Sequence, residues 1–142
     1  MSGLFSRRGF NIESLAVGTT EDPSMSRMTI VVEGDEQDLE QIIKQLYKLI
    51  DTLKVFDLPP DQAIESELVL VKVAASEKNR QEVTQVAEVF QAKIVDVAEK
   101  SMTLEITGET SKVEGAIKLL QKFGIKELVR TGKIALQRGG AD

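Results

Sequence analysis

"MTIVVEGD" at residues 28–35 returns as "MTLEITGE" at residues 102–109, and the offset of 74 positions holds beyond these segments. Under the same shift Leu39 meets Val113, Ile42 meets Ala116, Ile43 meets Ile117, Leu46 meets Leu120 and Val55 meets Val129. Apolar residues recur at matched places, so the chain reads as one pattern written twice.

The second copy shows the pattern whole. "ELVLVKVAAS" (67–76) is apolar almost throughout, as suits a central strand covered on both faces. "KNRQEVTQVAEVFQAK" (78–93) aligns Val83, Val86, Ala87 and Phe90 on one helical face, and "KIVDVAEKSMTLEITG" (93–108) reads as a tight hairpin. "TSKVEGAIKLLQKFG" (110–124) predicts a second helix with Thr110 or Ser111 as its cap and Gly124 at its end, and "IKELVRTGKIALQRG" (125–139) closes with strand. The order is β-α-β-β-α-β.

In the first copy Gly9 after Arg7 and Arg8 marks the end of a helix. "FNIESLAVGTT" and "RMTIVVEG" form a hairpin about the polar turn "TEDPSMS". "GDEQDLEQIIKQLYKLID" predicts a helix carrying Leu39, Ile42, Ile43, Leu46, Leu49 and Ile50, "TLKVFDL" (52–58) a short strand, and "PPDQAIES" (59–66) a break. The fold class is therefore α+β: two ferredoxin-like β-α-β-β-α-β domains in tandem, at 1–58 and 67–142, with 59–66 as linker. The first lacks its opening strand and part of its first helix. Because that strand is central in this topology, the reading expects a polypeptide that starts late.

Composition narrows the chemistry. With 142 residues and 42% hydrophobic content the chain can build a packed core. Eighteen basic residues against 23 acidic give a net charge of -5, which does not attract nucleic acid or anionic lipid. Cysteine and histidine are both absent, which removes disulfides, thiol nucleophiles and the commonest general base and metal ligand. Neither a membrane span nor a signal peptide is read, so a soluble, reducing compartment is expected.

No glycine-rich phosphate loop follows a strand, and the acids Glu33, Asp35, Glu36 and Asp38 sit where a helix dipole favours negative charge, so no metal is assigned to them. The strands "IESLAVG", "MTIVVEG", "ELVLVKV" and "MTLEIT" carry no aromatic residue on which a base could stack. Asn11 lies where the first helix gives way to a strand; its amide suits a local turn bond or the polar head of an amino acid. Ile12 beside it suits core or ligand wall. Lys126, Arg130, Lys133 and Arg138 suit a solvated strand face or an acidic partner.

Through "SRRGFNIESLAVG", "SRMTIVVEGDE", "IIKQLYKL", "LVLVKV" and "KFGIKELVRTGKIAL" the chain resembles the regulatory small subunit of acetolactate synthase, also called acetohydroxyacid synthase, over nearly its whole length. That resemblance implies an N-terminal ACT domain, an effector-binding β-α-β-β-α-β module, and a second domain of similar topology. It implies a subunit with no active site or cofactor of its own. Its partner would be the catalytic large subunit, where thiamine diphosphate, Mg and FAD belong, and it would stimulate that subunit and confer feedback inhibition by valine in valine, leucine and isoleucine synthesis. The effector would lie between ACT domains of a homodimer, held by Asn11 and Ile12; the facing acidic, Gly-containing loop matches no residue here. The compartment implied is the bacterial cytoplasm or a plastid stroma.

Overall fold

Strand β1 (Asn11–Thr19) and strand β2 (Ser26–Glu33) form an antiparallel hairpin at the start of the described chain. The computed structural model describes residues 11–48 and 54–139, divided into one unit of Met1–Ile64 with Ala135–Asp142 and a second of Glu65–Ile134. The expected helix end at Gly9, the expected late start and the helical positions Leu49 and Ile50 lie outside the described residues.

In the first unit the hairpin turn is tied by its own polar side chains. Thr20 Oγ1 donates to the Asp22 and Met25 carbonyls, while the Asp22 carboxylate accepts from the Ser24 amide at 3.0 Å and its hydroxyl at 2.8 Å. Those two bonds hold the Asp22 carboxyl below its usual value, the hydroxyl contributing most. Helix α1 (Glu36–Tyr47) follows, and its N-terminus is a reciprocal cap: Asp35 accepts from the Asp38 amide and Asp38 from the Asp35 amide. The helix presents Leu39, Ile42, Ile43 and Leu46 at helical spacing, and Ile42 is buried.

The second unit is built on strand β3 (Ala63–Ala74), whose Glu67–Ala74 stretch pairs antiparallel with strand β5 (Ser101–Gly108). On its other side β3 pairs antiparallel with strand β6 (Ile125–Arg130), and strand β4 (Lys93–Val97) pairs with the far side of β5. The order β4-β5-β3-β6, together with helix α2 (Arg80–Val89) and helix α3 (Thr110–Leu120), is the ferredoxin-like arrangement. Strand β7 (Ile134–Gln137) pairs with β3 off this path.

Alternation along the strands decides where the core lies. Val69, Val71 and Val73 of β3 and Met102, Leu104 and Ile106 of β5 point to one face and are buried. Val83 and Ala87 of α2 and Val113, Ala116, Ile117 and Leu120 of α3 close over them in one cluster, so both helices lie on that face. The helices also meet at a small residue: a Cβ on Gly115 would stand 3.4 Å from the Phe90 ring. The opposite sheet face carries Leu70, Thr103 and Val129 and the Lys72–Glu127 ion pair at 3.2 Å.

Several elements depart from the sequence reading. Residues 54–58 form no strand; the Val55 amide instead donates to the Tyr47 hydroxyl at 3.0 Å, and a strand has no ladder to join without a partner among the described residues. Strand β3 begins at Ala63 after a short 3₁₀ turn, Pro60–Gln62, so the second half of 59–66 is strand, with Ala63 buried. Helix α3 is capped neither by Thr110 nor by Ser111: Glu109 holds the cap position without a side-chain bond, and the Thr110 hydroxyl is buried with no partner. The closing stretch divides into β6 and β7 because Gly132 turns the chain at φ +82°, a left-handed conformation that suits glycine.

Among the described residues no helix is long and apolar enough to cross a membrane. Burial predicts where the second unit is fragile. Leu104→Ala, at a fully buried site, should lower unfolding stability by about 2–5 kcal/mol, whereas Val89→Ala, at a position 74% exposed, should change it by about 0.5 kcal/mol or less. Denaturant midpoints of the two variants check both values.

Candidate functional site

Asn11 and Ile12, the residues singled out from sequence, open β1 opposite Glu33 and Val32 of β2. The ladder then slips: Ser14, not Glu13, faces Val31, so Glu13 is an extra residue on β1 and the strand is bulged. This reverses the faces that simple alternation predicts. Residues directly opposite in a ladder share a face, so Asn11, Ser14 and Ala16 lie by register with Glu33, Val31 and Thr29. The other face pairs Ile12 with Val32, Leu15 with Ile30 and Val17 with Met28, and ends at the turn with Thr19 opposite Ser26.

Ile12 is half-buried, as a core or a ligand-wall residue would be. Ser14 is the residue sequence reasoning missed. Its hydroxyl is out of reach of solvent and makes no hydrogen bond, a condition that costs about 1–3 kcal/mol for a buried polar group. The signal was present in the spacing, since the apolar residues Ile12, Leu15 and Val17 step by three and then two, where an unbroken strand steps by two throughout.

The remaining candidates resolve into structural roles. The acids at the start of α1 serve its cap through Asp35 and Asp38, and among the described residues no group of three or more metal-ligating side chains gathers. Arg130 bonds the buried Glu67 of β3 through one guanidinium nitrogen and Glu114 of α3 at 2.7 Å through another. The Glu67 contact is the main reason that the guanidinium is held above its ordinary value. The Thr131 amide donates to the Leu68 carbonyl at 3.0 Å and the Thr131 hydroxyl accepts from the Leu68 amide at 3.1 Å, and Lys133 pairs with Glu65 at 3.5 Å. The "RTGK" run is thus a clasp on the first half of β3.

Two shallow depressions open on the second unit. One of about 430 Å³ lies on the free sheet face between Leu70, Thr103 and Val129; the other, of about 310 Å³, is lined by α2 and α3 at Val86, Val89 and Leu119. Neither includes a residue of the hairpin.

A family model described as the small subunit of acetolactate synthase matches residues 66–139, and one described as an AHAS small subunit-like ACT domain matches residues 1–54. A probable acetolactate synthase small subunit of Archaeoglobus fulgidus is 52% identical over 139 residues, covering 98% of this chain and 87% of that protein. The acetolactate synthase small subunit of Mycobacterium leprae is 48% identical over 139 residues, covering 98% and 82%. A crystal structure of the acetolactate synthase small subunit from Thermotoga maritima superposes with a TM-score of 0.86 at 45% identity, over 96% of this chain and 86% of that one.

The clasp can be tested separately from any ligand. Arg130→Met should destabilise the second unit by about 3–5 kcal/mol, toward the low end because the guanidinium is 33% exposed, since Glu67 would be left buried and unpaired at 3% exposure. Adding Glu67→Leu in the same chain should recover most of that loss in a denaturant titration.

Proposed function

The chain belongs to the acetolactate synthase small-subunit family, and on that premise we propose that it is a regulatory subunit without an active site of its own, which binds the catalytic large subunit and raises its turnover. The observation that carries this reading is that two small-subunit family models tile the chain at 1–54 and 66–139. Family membership assigns it to the regulation of valine, leucine and isoleucine biosynthesis. Thiamine diphosphate, magnesium and FAD belong in this proposal to the large subunit.

We further propose that the ACT module, taken as residues 1–58, binds valine through Asn11 and Ile12 at a homodimer contact, that 59–66 joins it to the second domain, 67–142, and that the protein works in the cytoplasm or a plastid stroma. An effector held between two chains can shift their relative placement, and a large subunit resting on both would feel that shift. Valine must then bind the inhibited state of the assembly more tightly, with a coupling of about 1–3 kcal/mol.

The test is an acetolactate-formation assay. The chain alone should form none, and its addition to a catalytic subunit should raise the rate. Valine should then inhibit the mixture at concentrations about fivefold or more below those affecting the catalytic subunit alone. Asn11→Ala should remove the valine response and leave the stimulated rate in place. A catalytic rate unmoved by saturating chain would refute the regulatory assignment.

A further inference from the structure

Ser14 carries a hydroxyl that the fold has buried and left without a partner, and it stands on the ribbon face that Asn11 shares by register. The β1 bulge brings about this coincidence. On an unbroken strand, residues three apart point to opposite faces; the extra residue Glu13 restores Asn11 and Ser14 to the same side. Their face also carries Ala16, Thr29 and Val31, while Ile12, Leu15, Ile30 and Met28 lie on the other.

A buried hydroxyl without a partner costs the chain stability and keeps its bonding capacity free for a ligand. A serine hydroxyl both donates and accepts, and can therefore serve either the carboxylate or the ammonium of an amino acid. We infer that Ser14 is a second polar anchor of the effector site, hydrogen-bonding the charged head of the bound α-amino acid beside Asn11. This inference rests on the proposal that the first hairpin binds an amino-acid effector, and it adds a named residue and a bonding role to that site. The bulge is then the device that assembles the polar side of the site from a single strand.

The experiment is calorimetric titration of valine into the native full chain and into Ser14→Ala, with thermal unfolding of both measured without ligand. Ser14→Ala should bind valine at least about tenfold more weakly, the scale of one lost hydrogen bond to a charged group. Its unfolding midpoint should equal or exceed the native one, because an unsatisfied group has been removed. Equal affinity in the two chains would overturn the role of Ser14 and leave the effector reading standing. A midpoint lowered by several degrees would show the hydroxyl serving the fold, which also overturns the inference. No valine binding by the native chain would remove the effector reading itself, and the anchor with it.

Discussion

The pairing of β3 on both sides is the constraint on which the second unit depends. Its Glu67–Ala74 stretch is zipped to β5 and its Val69–Val73 stretch to β6, so its backbone groups are satisfied within the sheet and its inward side chains are free to be wholly apolar. Val69, Val71 and Val73 have no exposed surface, and both helices close over them. A slip of one residue would turn those valines to the open face and bring Leu70 and Lys72 inward. The register is therefore strongly specified, and the helices, β4 and the hairpin loops take their positions from it.

The same constraint explains the least ordinary polar feature. Glu67 enters the covered face at the start of this paired stretch, and a carboxylate in that place needs a charged partner. Arg130 supplies it from β6 and reaches Glu114 on α3, while Thr131 and Lys133 secure Leu68 and Glu65. A basic run that sequence alone leaves between a solvated face and an acidic partner is thereby engaged within its own unit at Arg130 and Lys133. Three of four consecutive residues, Arg130, Thr131 and Lys133, thus meet groups on β3 and α3.

Much of the architecture was legible in the sequence because burial follows period. The apolar-rich stretch of β3, the helical spacing of Val83 and Ala87 and of Val113, Ile117 and Leu120, and the repeat at an offset of 74 gave the topology of the second unit, but β3 is covered on one face only, with Leu70 and Lys72 on the open one. The acidic start of α1 was legible as a helix terminus and proved to be a reciprocal cap. What escaped depends on partners or on single backbone steps. Residues 54–58 have strand composition, yet Tyr47 takes the Val55 amide. Gly132 divides β6 from β7 through one left-handed residue. At the candidate site Asn11 and Ile12 were visible as residue types, whereas Ser14 showed only in the three-then-two spacing of Ile12, Leu15 and Val17, because its face is set by the slip at Glu13.

In this account a tightly packed second unit carries the fold's stability, and the bulged hairpin of the first unit carries the response to the effector. Hydrogen exchange of the full chain, followed by amide with and without valine, tests that division most directly. The amides of Val69, Val71, Val73, Leu104 and Ile106 should be the slowest to exchange and indifferent to valine, while valine should slow exchange at residues 11–14 and 31–33. Valine-dependent protection centred on β3 and β5, with the β1 bulge unchanged, would contradict it.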